Sequence, residues 1–256
     1  MAKKLLVSGG KLIRKTPDPQ IKTGYGALYN YYTVEESTSK EGFITGYHVP
    51  TDAEMTELAN YLGGFNIAGG KLKSLRTEPD IEPRWISNNI SSDTVNFSAL
   101  GGGFRWYHGQ FANINSQSSL WCDSELIIQV TFASNSEYLW YNEHWDRGFG
   151  YSIRVMRLLT QTEINNNHID GTIIDIVQDY NGNYYQVVKI GTQAWLAQNL
   201  RCTNYANGEE IPNVTDDTEW NELTTHAYCW YNNDPNTAGI VYTDEEIVGK
   251  KGLLNS

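Results

Sequence analysis

Residues 46–64 read GYHVPTDAEMTELANYLGG, and this stretch carries both ends of a helix in its own letters. Thr51 and Glu54 make a T-x-x-E box, in which a hydroxyl and a carboxylate reciprocally satisfy the first backbone donors of a helix. Met55, Leu58, Ala59 and Leu62 then recur at the spacing of one buried helical face. Gly63-Gly64 ends the helix, because glycine takes positive φ without steric penalty. Outward from this segment the pattern changes. From Trp85 to Arg157 short aromatic and β-branched runs are cut by Gly, Asn and Ser, which predicts small strands and long loops. Thr172–Gln178 and Tyr184–Ile190 flank Asp179-Tyr180-Asn181-Gly182, whose Asn-Gly step marks a hairpin. A short helix is expected around Thr218–Leu223 and a further helical turn at Trp195–Leu200. Leu158–Asp170, with Asn165-Asn166-Asn167 and no periodicity, reads as a linker.

The chain has 256 residues and 40% hydrophobic content, enough for a real core. Its 17 Tyr and 8 Trp outnumber 7 Phe, so the aromatic set favours rings that also hydrogen-bond, as a recognition surface does. A net charge of −11 argues against nucleic acid as a partner, since phosphates reward Lys and Arg. The exception is residues 1–23, where Lys3, Lys4, Lys11, Arg14, Lys15 and Lys22 face only Asp18. This reads as a basic arm, broken by Ser8-Gly9-Gly10 and by Thr16-Pro17-Asp18-Pro19. Leu5-Leu6-Val7 is too short for a secretory signal, and no membrane insertion is expected. Cys122, Cys202 and Cys229 are odd in number and lack CxxC spacing, so they read as free thiols of a reducing cytosol. His48, His108, His144, His168 and His226 form no catalytic or metal-binding pattern. No enzyme activity, cofactor or metal is expected.

The opening stretch, together with Ala68-Gly69-Gly70-Lys71-Leu72-Lys73-Ser74, Asn96–Arg105, Leu120-Trp121 and Gly150–Arg157, closely resembles the Fibrobacter succinogenes major paralogous domain family. Asp179–Tyr185, Val188–Gly191, Trp195–Leu200 and Ala227–Asp234 resemble the same family. The resemblance implies an α+β, C-type-lectin-like fold of small twisted antiparallel sheets, two short helices and long loops. In the family the hairpin and W-x-x-x-N-L block come first; here they come last. The chain accordingly divides into an arm (1–23), the rear portion of the domain (24–158), a linker (159–169), the front portion (170–238) and a tail (239–256). The halves either complete one permuted domain within the chain or pair with complementary halves of another subunit. Permutation predicts that the chain near Tyr25 and near Asn236 lies together in space. The resemblance also implies a cysteine pair where Phe43 and Val155 stand, and its absence agrees with folding in the cytosol.

The expected binding face is the loop set holding Trp106, Tyr107, His108, Asn113, Asn115, Gln117, Asp123, Tyr138, Trp140, Tyr141, Asn142, Glu143, His144, Trp145 and Asp146. Tyr, Trp and Asn supply rigid contact area and adaptable hydrogen bonds at low entropic loss. Phe104, Trp121, Leu139, Ile153 and Trp195 are expected in the core. The calcium motifs of sugar-binding lectins are missing, Glu82-Pro83-Arg84 ending in a base where an amide is needed. A surface-recognition domain folded in bacterial cytoplasm points to a phage virion protein, a fibre, decoration or tail component, that binds a host cell-surface glycan or protein. Residues 1–23 would tether it to other virion proteins through Lys3, Lys4, Lys11, Arg14 and Lys15, in a homo-oligomer taken as a trimer. A bacterial cell-surface adhesin and a purely structural virion interface protein are the alternatives.

Overall fold

The computed structural model describes residues 24–80, 83–143 and 146–239, so the arm with its tether residues Lys3, Lys4, Lys11, Arg14 and Lys15, the binding candidates His144 and Trp145, and the tail after residue 239 lie outside the described residues. The chain runs β1(Leu28–Tyr29), α1(Tyr31–Ser39), α2(Asp52–Tyr61), α3(Phe65–Leu72), β2(Gly102–Arg105), β3(Phe111–Ile114), β4(Gln117–Cys122), β5(Ile128–Ala133) and β6(Leu139–Glu143). It continues through β7(Met156–Leu158), α4(Gln161–Asn165), β8(Ile173–Gln178), β9(Tyr184–Ile190), β10(Gln193–Leu196), α5(Asp217–Asn221) and β11(Tyr228–Cys229). The class is α+β, with five α-helices among the described residues rather than two.

Helix α2 forms as its letters predict. The Glu54 carboxylate takes the Thr51 N–H at 2.8 Å while Thr51 Oγ1 accepts from Glu54 N–H at 3.3 Å. Gly63 and Gly64 follow at φ 102° and 98°. The linker holds a helix that periodicity missed: α4 opens on the same device, Thr160 and Glu163, although it buries no residue. Helix α1 lacks an apolar stripe and begins with aromatic and β-branched residues of modest propensity, so packing decides it. The helical turn expected at Trp195–Leu200 is absent. Instead β10 pairs with β9 on one side and β7 on the other, and a helix there would leave both ladders open.

Three sheets result, ordered β1-β11, β7-β10-β9-β8 and β3-β2-β4-β5-β6, antiparallel except for the β2–β4 pair. The predicted hairpin joins β8 to β9, with Gln178 opposite Tyr184. Front and rear portions interleave: β7 pairs with β10, β1 with β11, and one apolar cluster takes Tyr29, Trp121 and Val155 from the rear and Tyr185, Leu196 and Tyr205 from the front. Phe43 and Val155 are both fully buried in that cluster, where apolar contact stands in place of a bridge. Tyr25 N–H donates to Thr237 O at 2.9 Å, and a Cβ on Gly24 would stand 2.1 Å from the Ala238 backbone. The two ends of the described body therefore touch.

Two buried cations brace the loops. Lys73 Nζ donates to the carbonyls of Ala133, Ser134 and Ser136 at 2.6, 2.9 and 2.8 Å, tying α3 to the β5–β6 turn. Burial pulls its pKa down to about 8, with Glu137 opposing. Arg154, also fully buried, donates Nε and Nη2 to Asn199 Oδ1 and Nη1 to Phe97 O, and lies over the Phe97 ring at 4.1 Å.

Near Arg154, burial pushes the Asp93 carboxyl up to about 6, against hydrogen bonds from Ser98 and the Arg154 charge. Below pH about 4 the carboxyl is protonated both folded and unfolded; between about 4 and 6 only the folded chain keeps its proton. Stability is therefore expected to fall by about 2 kcal/mol as pH rises through that window. Chemical denaturation of Asp93→Asn at pH 4 and 6.5 should show this slope flattened; an unchanged slope would place the titration elsewhere.

Candidate binding face

Strand direction sorts the expected binding residues into two groups. β2 and β4 run the same way, so the Trp106–Gln110 turn and Asp123 lie at one pole, while the β3–β4 turn holding Asn113, Asn115 and Gln117 lies at the other. The six residues of β4 separate them by about 20 Å at about 3.3 Å per residue. β5 descends and β6 ascends, leaving Tyr138 at the second pole and Glu143 at the first. A single face holding all of these residues is thus corrected. The turn residues serve the backbone: Asn113 and Asn115 take φ 62°, Asn113 Nδ2 donates to Gln117 Oε1 at 2.8 Å, and the buried Asn115 accepts from the Tyr25 hydroxyl. Tyr25 marks this pole as the one where the two ends of the described body meet.

At the first pole, Trp106 and Tyr107 are each 37% exposed and His108 is exposed. Trp106 stacks on His108 at 5.7 Å and packs on Phe104 at 5.1 Å and Phe149 at 5.4 Å, while Tyr107 meets Phe149 at 5.6 Å. Below them Phe149 stacks on Tyr151 at 5.4 Å, Tyr151 meets Trp121 at 4.5 Å, and Trp121 meets Tyr31 at 5.1 Å. Trp121 Nε1–H donates to Tyr29 O at 2.8 Å, fixing the base of this ladder. The exposed rings therefore stand on a continuous aromatic stack rooted in the core. Such edge and offset contacts each add about 0.5–1.5 kcal/mol beyond area burial and restrict ring motion.

The two loops of this pole are held from behind by α5, a role that no sequence feature announced. Arg105, fully buried, donates Nε to Gly109 O at 2.6 Å, Nη1 to Val214 O at 2.7 Å, and Nη2 to Thr215 O at 3.1 Å and Asp217 Oδ1 at 2.9 Å. Its guanidinium lies over Trp220 at 4.4 Å and over Phe111 at 4.9 Å. Trp220 Nε1–H donates to Gly148 O at 2.8 Å, so one tryptophan reaches the second loop while packing on the arginine that holds the first. Gly109 has φ 99°, and a Cβ there would meet Asp217 Cβ at 2.5 Å. Asp146 Oδ1 accepts from Gly148 N–H at 2.7 Å, a turn-closing bond.

Along β6 the pleat separates the remaining residues. Trp140, 38% exposed, and Asn142 stand outward opposite Thr131 and Gln129, in rows shared with Ser119 and Trp121. Tyr138 stacks on Trp140 at 5.9 Å. Tyr141 points the other way: it meets Phe65 at 5.8 Å and donates its hydroxyl to Asp52 Oδ2 at 2.8 Å, with burial and that carboxylate raising its pKa. It is a packing residue. Asp123 is half-buried, its carboxyl pushed up by burial with His48 opposing, and His48 itself pairs with Glu54 at 2.9 Å. Phe104, Trp121, Leu139, Ile153 and Trp195 are all in the core as expected.

All three cysteines are free and buried, and burial raises each thiol, Cys229 to about 12. A thiol held protonated is a poor nucleophile and metal ligand. Among the described residues, no group of three or more His, Cys, Asp or Glu side chains is placed to hold a metal, and no helix is long and apolar enough to cross a membrane. A family model described as the Fibrobacter succinogenes major domain matches residues 7–157 and 188–254, which is most of the chain. No curated protein and no solved structure matches it.

Arg105→Met should leave the Gly109, Val214 and Thr215 carbonyls without their donor. We expect a loss of about 3 kcal/mol in urea unfolding, from unpaired buried acceptors and lost packing. Faster amide exchange in residues 106–109 and 146–149 than in β8–β9 should accompany it. Uniform exchange across the body would show that Arg105 does not buttress these loops.

Proposed function

The chain belongs to the Fibrobacter succinogenes major domain family, and we propose that within it this protein is a non-enzymatic adhesion head of a phage virion, binding a host cell-surface glycan or protein. The observation that carries this reading is the opposition of the two poles. The exposed Trp106–Tyr107–His108 cluster lies at one end of the β2–β4 strands, while Tyr25 and Thr237 meet at the other. A head anchored at the second pole presents the first outward.

The chemistry of the exposed pole suits adhesion. Stacked indole, phenol and imidazole rings offer flat apolar area with polar edges, which pack on the C–H faces of sugars or on protein side chains. Because the ladder beneath already orders them, little entropy remains to be lost on binding. Buried, protonated thiols fit a binding role better than nucleophilic chemistry. The virion setting rests on the basic segment of residues 1–23, which precedes the anchored pole and would dock on an acidic neighbour, and on free thiols compatible with assembly in bacterial cytoplasm. In this reading the copies form a homo-oligomer, and neither nucleic acid nor membrane insertion is involved.

Binding of the labelled chain to host cells tests the assignment. Trp106→Ala and Tyr107→Ala should each weaken it about tenfold or more, as anchor aromatics do, while Asn113→Ala and Gln117→Ala at the anchored pole leave it unchanged. Melting temperatures of all four variants separate lost binding from lost folding. Equal losses at both poles, or losses at the anchored pole alone, would reject the orientation.

A further inference from the structure

Residues 26–34 read GALYNYYTV and residues 239–247 read GIVYTDEEI. Set side by side, Gly26 matches Gly239 and Tyr29 matches Tyr242; Leu28 faces Val241, Val34 faces Ile247, and Asn30 faces Thr243. Asn30 is the N-cap of α1, and Thr243 with Glu246 makes a T-x-x-E box at the same place. The chain therefore writes twice the sequence pattern that forms β1, its cap and the start of α1.

The structure shows what that element does. Leu28 and Tyr29 pair with Cys229 and Tyr228 on one side, and Tyr29 exchanges backbone bonds with Tyr151 at 2.8 and 3.0 Å on the other. Tyr29 is fully buried and donates its hydroxyl to Cys202 O at 2.8 Å, and Val34 is fully buried. This groove begins where the second copy of the element begins. Tyr25 N–H bonds Thr237 O, and Gly24 stands against Ala238 and Gly239, so residues 25 and 239 lie at adjoining points beside one groove.

We infer that the groove between β11 and Tyr151 has two occupants within the same chain: residues 26–34, which fill it in the structure, and residues 239–247, which enter when the first withdraw. The tail supplies Tyr242 for Tyr29 and apolar Val241 and Ile247 for Leu28 and Val34. It fits less well at two points. Tyr31 packs on Trp121 and hydrogen-bonds the Ser124 carbonyl, whereas Asp244 would set a carboxylate against that indole. Thr33 Oγ1 donates to Ala227 O at 3.0 Å, and Glu246 has no proton to give there at neutral pH. Those differences keep the first occupant in place. Exchange detaches Tyr31 from Trp121, the base of the aromatic ladder, so a change at the anchored pole reaches the exposed one.

Native Cys229 reads the occupant. Since Leu28 lies opposite Cys229, Leu28→Cys closes a disulfide when residues 26–34 hold the groove, and Val241→Cys closes one when the tail does. The full chain carrying either change is equilibrated in glutathione buffer, alkylated, and its closed fraction measured by peptide mass spectrometry. Leu28→Cys should be mostly closed and Val241→Cys closed in a minor fraction, within the monomer. Adding Tyr31→Asp, which gives the first occupant the tail's residue, should raise the Val241→Cys fraction several-fold and lower the Leu28→Cys fraction. Val34→Ala, a milder weakening, must move both in the same directions if Tyr31→Asp compromises the fold. A Val241→Cys thiol that stays open in every background while Leu28→Cys closes overturns the inference, as does a cross-link found only between chains.

Discussion

The body depends on one buried charge. Arg154 sits in the closing segment of the rear portion, and among the described residues no carboxylate forms an ion pair with its guanidinium, Asp93 acting on it only through its charge; it is solvated by Asn199 Oδ1, the Phe97 carbonyl and the Phe97 ring. Asn199 spends its other polar group on the Tyr25 carbonyl, donating at 3.0 Å. Three segments that are remote in sequence are thus fastened at one amide. Around this knot the backbone does the same work, Leu200 N–H bonding Ile153 O and Ala27 N–H bonding Leu200 O, each at 2.8 Å. A buried cation stripped of its acceptors is worth several kcal/mol of destabilisation, so the segments must assemble together. What the knot requires is that they meet in space, and their order along the chain is free to differ from that of relatives.

Arg105 repeats the device at the other end of the sheet. It too is buried, takes three carbonyls, and packs between aromatic rings, but the segments it joins are the Trp106–Gly109 turn and the start of α5. The exposed aromatic cluster is consequently supported by the front portion although Trp106, Tyr107 and His108 all belong to the rear. A loop held by carbonyl–guanidinium bonds and a buried indole has little freedom left to lose, which is what the proposed adhesive surface of few residues would need. The terminal pole is built differently, from left-handed asparagine turns and the Lys73 ammonium beneath the β5–β6 turn.

Elements whose stabilising partners lie within about four residues were legible in the letters. The T-x-x-E box and the two glycines bounded α2, Asn181-Gly182 specified the hairpin, and Phe104, Trp121 and Trp195 were placed in the core. The family was legible as well, through motifs such as W-x-x-x-N-L and Y-S-I-R, which in this chain bring Asn199 and Arg154 into one contact. Helix α4 was equally legible and was hidden only by the Asn165-Asn166-Asn167 run that follows its capping box.

Tertiary structure alone decided the rest. Whether Trp195–Leu200 turns or extends depends on β7 and β9, whose pairing with β10 is set at long range, and α1 exists because Asn30 and Thr33 find Ala227 about two hundred residues away. The fifteen candidate binding residues were chosen by composition, which is blind to strand direction. Only the parallel run of β2 and β4 reveals that Trp106 and Asn115 face opposite poles, and only the pleat of β6 turns Trp140 outward and Tyr141 in. The sequence by itself determined the local elements and the family, since those follow from side chains close along the chain. The placement of the exposed aromatic pole, its buttress and the pole where the described ends meet came from contacts between segments that meet only when the whole core closes.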